Sequence, residues 1–161
     1  MEQIPTRGLE VAGWNHPAGD TRGEFDPFGL PDGRTAIAVA EATGHGVRPA
    51  LMLSRCLTLF RSQATIHDEL TVVVEQINAL LAREEPEDHF VSAFFGIVDG
   101  RGELSYLSAG QGPILRLRRG RDEVLELRPD SLPLGIVPRL GLPAPHRFAM
   151  QPGDMLVLVS D

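Results

Sequence analysis

The sequence predicts an α+β fold, and three observations carry that reading. Apolar residues recur at helical spacing over two stretches, one beginning near Pro49 and ending about Gln63, the other from Leu70 to Leu81. From Phe90 onward the period changes to short strands separated by glycine turns, as antiparallel sheet requires. Finally, 161 residues with 42% hydrophobic and 23% charged side chains are enough for one domain with a sizeable core.

Leu9 to Trp14 alternates weakly and reads as the first strand. His16 to Pro27 is polar and turn-rich, and reads as a long acidic loop. Asp20, Glu24 and Asp26 crowd together there, which is costly unless they are solvated, paired with Arg22 or bridged by a cation. Pro31-Asp32-Gly33-Arg34 is a turn signal between Phe28-Gly29-Leu30 and the strand Thr35 to Ala40. The resulting hairpin returns the acidic loop toward Glu41.

The stretch from Ala36 to Leu51 joins that apolar strand to a glycine turn and then to a helix. Glu41 stands where the apolar run ends, and Gly44 and Gly46 allow a tight turn around His45. A carboxylate beside such a turn is a place to hold a metal or a phosphate. Pro49 suits the helix's first turn, and Met52, Leu53, Cys56, Leu57, Leu59 and Phe60 form its apolar face. Thr65 with Asp68 resembles a capping box for the second helix, whose stripe of Leu70, Val73, Val74, Ile77, Leu80 and Leu81 ends before Pro86. His67 and His89 flank that helix and read as surface or capping histidines, since neither has a second ligand at helical spacing.

In the second half, Phe90 to Val98 and Glu103 to Leu107 flank the hairpin signature Asp99-Gly100-Arg101-Gly102. Ile114 to Arg118 and Val124 to Leu127 flank Arg119-Gly120-Arg121-Asp122, where Arg116, Arg118, Arg119 and Arg121 read as a solvated basic hairpin tip. Pro133 to Pro145 reads as a surface loop, and strands Arg147 to Met150 and Met155 to Ser160 close the chain.

Composition excludes several functions. A net charge of −7 gives no general attraction to nucleic acid or to an anionic membrane, and the arginine cluster has no interleaved aromatics. All fifteen basic residues are Arg, so lysine-dependent chemistry is ruled out. Cys56 is the single cysteine and reads as a buried inert thiol, which excludes an intrachain disulfide and a thiolate metal cluster. No signal-peptide pattern is present and no apolar run reaches the ~18 residues of a membrane helix, so a cytoplasmic location is expected by default. No Gly-x-Ser-x-Gly elbow supports serine hydrolase chemistry.

The ordered landmarks resemble the metal-dependent serine/threonine protein phosphatases (PPM), in the bacterial branch of stage II sporulation protein E and RsbU-like proteins. They are Leu9-Glu10-Val11-Ala12, Pro17-Ala18, Phe25, Asp26, Leu30 to Arg34, Thr43-Gly44-His45-Gly46-Val47, Phe90 to Phe94, Leu104 to Gly110, Pro133-Leu134-Gly135, Pro152-Gly153-Asp154 and Leu156 to Asp161. The resemblance implies an αββα sandwich of mainly antiparallel sheets flanked by helices, as a single domain over residues 1–161 that stops before the family's C-terminal segment. It implies a site for two divalent cations, Mn²⁺ or Mg²⁺, that activate a water for in-line attack on a phosphoserine or phosphothreonine.

Carried over position by position, the resemblance places metal ligands at Glu24, Glu41 and Asp161, with Asp26, Ala42, Gly44 and His45 as additional site residues. Glu24 matches the family's Gly-Gly-Asp position on counting forward from Pro17-Ala18; counting backward from Pro31-Asp32-Gly33 places the motif's second Asp on Asp26, so that one residue is deleted between the two. Glu24 and Glu41 replace aspartates, and the family's Asn-Ala-Gly-His segment is here Ser108-Ala109-Gly110-Gln111. The implied substrate is a phosphoprotein, of which a phosphorylated anti-sigma-factor antagonist is the example that the RsbU-like branch suggests. An alternative reading is a pseudophosphatase, the same fold serving as a regulatory protein-binding module with weak or no turnover. Leu156 to Val159 reads as a buried strand, so a partner chain adding a neighbouring strand, in a homo-oligomer, is one expected way to cover it.

Overall fold

Strand β4, Thr35–Ala42, is the axis of the molecule, and its alternation explains the layers on either side of it. Ala36, Ala38, Ala40 and Ala42 point to one face, where their small side chains let a helix approach closely, while Ile37 and Val39 point to the other. The computed structural model describes residues 2–6, 9–14, 23–84 and 89–160. Around β4 lie β3 (Gly23–Gly29), β5 (Val91–Val98), β6 (Glu103–Ala109) and β9 (His146–Ala149), in the antiparallel order β3-β4-β5-β6-β9. Strands β7 (Ile114–Leu117), β8 (Val124–Leu127) and β10 (Met155–Leu158) form a second sheet in the order β10-β7-β8, and β1 (Glu2–Thr6) pairs with β2 (Leu9–Gly13).

Helices α1 (Val47–Ile66) and α2 (Leu70–Glu84) cover the alanine face of the large sheet. Phe60 is fully buried there, with its ring 5.5 Å from Phe28 and 4.6 Å from Phe95. Each such buried apolar side chain contributes about 1.5–3 kcal/mol. On the opposite face Ile37, Phe94, Tyr106 and Ile114 form a second core, to which Val11, Leu156 and Leu158 contribute. The expected α+β class and mainly antiparallel sheets are therefore present. Among the described residues both helices lie on one side, giving helix, sheet and sheet; a helical layer outside the β10-β7-β8 sheet is not among them.

Local expectations differ at four places. Gly23 to Pro27 continues β3 as part of a ladder with β4, because Phe25 finds a place in the core between the sheets. Pro27 is tolerated because β3 is an edge strand and needs no N–H on its outer side. Thr65 does not cap α2: its hydroxyl donates to the Ser62 carbonyl within α1, and Asp68 accepts from Arg34. The strand Glu2–Thr6 has no counterpart in the sequence reading.

The fourth difference is the segment after β8, which is more than a surface loop. Leu134 is fully buried and exchanges two backbone hydrogen bonds with Val91, at 3.0 and 2.8 Å. Buried Asn78 of α2 donates to the Val137 carbonyl at 3.0 Å and accepts from Gly135 N–H at 3.0 Å. Glu75, one helical turn earlier, accepts N–H bonds from Leu140, Gly141 and Leu142. These side chains satisfy backbone groups that no strand reaches.

Candidate functional site

The glycine turn sits where β4 runs into α1. Thr43 N–H donates to the Phe90 carbonyl at 2.9 Å, closing the end of the β4–β5 ladder. Gly44 and Gly46 have φ of 97° and 95°, a region other residues enter only under strain, so the glycines are required by the backbone as expected. A side chain at Gly44 would also meet Pro49 and the His89 ring, at 3.4 and 3.8 Å. His45 projects into solvent from the turn, and Ala42 is buried against the helices. His89 is half-buried beside the turn, and its Nδ1 is buried without a hydrogen-bond partner. His67 ends α1, with its N–H donated to the Gln63 carbonyl.

Glu41 pairs with Gly23 on one side and Ser92 on the other. Alternation along β4 puts it on the face shared with Ile37 and Val39, between the sheets. A Cβ at Gly23 would lie 3.3 Å from Ser160 Oγ, so the end of the last strand stands beside Gly23, across from Glu41. Gln111 holds that end in place: its side-chain amide donates to the Val159 carbonyl at 2.9 Å, while Ser108 Oγ donates to the Gln111 carbonyl at 2.7 Å. The residue that replaces the expected histidine thus anchors the terminal strand. Asp161, and Asp20 and Arg22 of the acidic segment, lie outside the described residues.

Glu24 and Asp26 stand elsewhere. Glu24 pairs with Ala40, and it shares its face with Asp26 and Phe28, which both meet α1. Glu24 and Glu41 therefore leave opposite faces of the sheet, although they are on neighbouring strands. Asp26 accepts two hydrogen bonds from Arg61, the Nε bond being 2.8 Å, and the guanidinium lies 4.7 Å above the Phe28 ring. Among the described residues no three His, Cys, Asp or Glu side chains gather closely enough to hold a metal. The signal in the sequence was the disagreement between the two counts: a spacing one residue short sends every later side chain of an edge strand to the other face. Gly23 takes the place across from Glu41.

The buried thiol is as expected. Cys56 is fully buried, and burial pushes its pKa up to about 12. No helix among the described residues is long and apolar enough to cross a membrane.

The sequence pattern of the family Stage II sporulation protein E (SpoIIE) matches residues 31–161. The chain belongs to the SpoIIE family. It is 25% identical over 133 residues to the stage II sporulation protein E of Priestia megaterium, covering 82% of this chain and 22% of that protein. It thus spans about a fifth of that relative's length. Its fold is that of the PP2C phosphatase domain of SpoIIE from Bacillus subtilis, at a TM-score of 0.69 and 18% identity, covering 84% of this chain and 40% of that one. RsbX, whose structure was determined in complex with magnesium, superposes at a TM-score of 0.67 with 16% identity, over 98% of this chain and 70% of that one. The matched stretch includes the glycine turn and the Pro133-Leu134-Gly135 segment.

Proposed function

We propose that this SpoIIE-family domain hydrolyses phosphoserine or phosphothreonine on a protein substrate, with a divalent cation, Mn²⁺ or Mg²⁺, held by Glu41 and Asp161. The observation that carries the reading is the position of Ser160 against Gly23, across from Glu41. Asp161 follows Ser160 in the sequence and would supply the second carboxylate. Carboxylates are hard oxygen donors and suit Mn²⁺ or Mg²⁺ better than softer metals. Such a cation, when bound, makes its water acidic and offsets charge on phosphoryl oxygens. Glu41 would hold such a cation from a strand end, beside the positive-φ turn at Gly44 and Gly46. Glu24 has no part in this assignment. The test is phosphate release from a phosphoserine protein with and without Mn²⁺: release should vanish in Glu41→Ala, and full activity in that variant refutes the ligand assignment.

A second reading is favoured by the placement of Glu24 on the helix side and by the engagement of Asp26 with Arg61. In it the domain is a pseudophosphatase that binds a phosphoprotein or a regulator with weak or no turnover. Calorimetric titration with Mn²⁺ separates the two. Absence of binding heat at millimolar metal supports the pseudophosphatase, and saturable binding lost in Glu41→Ala supports the enzyme.

A further inference from the structure

The basic hairpin tip borders a cleft that the proposed phosphoryl site does not use. Arg118, Arg119 and Arg121 line it from the β7–β8 turn, and Ala149, Gln151, Pro152 and Asp154 line it from the end of β9 and the turn after it, in an open cleft of about 540 Å³. The fourth arginine of the cluster, Arg116, is engaged, with its guanidinium 3.9 Å above the Phe148 ring. The guanidinium groups of the other three make no ion pair among the described residues. Asp154 is the one acid in the lining, and its oxygens accept the N–H groups of Arg119 and Gln151 at 3.0 and 3.3 Å. Those bonds hold its carboxyl below the usual range.

The cleft is built rather than left over. Gly153 has φ of 93°, and a Cβ there would come within 2.5 Å of Arg119 Cδ, so the glycine makes room for the arginine stem to cross the turn. Within the lining three arginines face one occupied carboxylate, on a chain of net charge −7, while Asp122 and Glu123 follow Arg121 outside the lining. Arginine forks match carboxylate and phosphate oxygens in pairs. No aromatic side chain lines the cleft, so bases have nothing to stack on. β7 and β10 run antiparallel, with Met155 opposite Leu117, so the cleft lies at the far end of β10 from Ser160, on the order of 16 Å away at strand rise.

We propose that this cleft docks an acidic, Asp- and Glu-rich segment of a protein partner, tethering it at a distance from the phosphoryl site. That the partner is a phosphoprotein rests on the function proposed above; the docking itself does not. The experiment is fluorescence anisotropy of a labelled Glu- and Asp-rich peptide with the intact domain, compared with the triple variant Arg118→Ser, Arg119→Ser, Arg121→Ser. The variant should bind about tenfold or more weakly, and wild-type binding should weaken as NaCl is raised. Arg121→Ser alone, at the turn, should give a smaller loss in the same direction and guards against misfolding of the triple variant. Equal affinity in the variants overturns the proposal, as does tighter binding of single-stranded DNA of equal charge. Displacement of the peptide by low millimolar inorganic phosphate also overturns it, in favour of a small-anion site. In Glu41→Ala the peptide should bind as in wild type even where turnover is lost, so failure of the docking and failure of the catalytic reading are told apart.

Discussion

Replacing Gly23 by Asp tests whether strand register has removed a metal-binding carboxylate from this SpoIIE-family site. Gly23 is the cross-strand partner of Glu41, and Cβ atoms at such paired positions lie about 4.5–5.5 Å apart, close enough for two carboxylates to share a cation. The nearest atom to the new Cβ is Ser160 Oγ at 3.3 Å, a tight contact that the hydroxyl relieves by rotating away, and Gly23 is not among the positive-φ glycines. Without metal, two like charges directly opposite should cost about 0.2–1 kcal/mol. With Mn²⁺ at a hundred times its dissociation constant, binding should return about 2.7 kcal/mol. For a domain of this size that corresponds to a rise in melting temperature of roughly 5–11 °C. Thermal melts of wild type, Gly23→Asp and Glu24→Asp, each with and without Mn²⁺, are the assay. The rise should be largest in Gly23→Asp, and Glu24→Asp should behave as wild type. A Mn²⁺ response in Glu24→Asp equal to that in Gly23→Asp would refute the facing argument.

Two further outcomes are expected. Asn78→Ala leaves Gly135 N–H and the Val137 carbonyl without their partner in a part-buried place, which should cost about 1–3 kcal/mol and lower the melting temperature by several degrees. Limited proteolysis should then cut first between residues 135 and 143, and an unchanged melt would show that the pinned segment adds nothing to stability. Cys56 should be unreactive toward a disulfide reagent in the native state at pH 8 and react stoichiometrically in denaturant, because burial keeps it a neutral thiol. Its ordinary pKa of 9.0 rises to about 12 on folding, so its contribution to stability is complete below about pH 9 and is lost as the pH climbs toward 12.

Much of the fold was legible because local pattern and tertiary demand agree. The stripes of α1 and α2 were readable because each helix buries one face against the alanines of β4 and its neighbours. Gly44 and Gly46 were readable because only glycine takes their backbone conformation without strain. Thr65 misled because a hydroxyl that can cap the next helix can equally bond back into the one it ends. The segment after β8 misled because proline and glycine mark irregular backbone whether it lies on water or is held by Asn78 and Glu75.

The glycine turn, the carboxylate before it, the thiol without chemistry and the SpoIIE-family landmarks were determined by the amino-acid order alone, since each depends on residue type and near neighbours. Which carboxylates share a face was decided by the tertiary structure. A strand side chain changes face with every residue, so a spacing one residue short leaves Glu24 beside Glu41 in a list of acids and on the other side of the sheet in space. The same holds for the arginines at 118, 119 and 121: their order shows a charged turn, and only the packing of β9 and β10 against it makes a cleft.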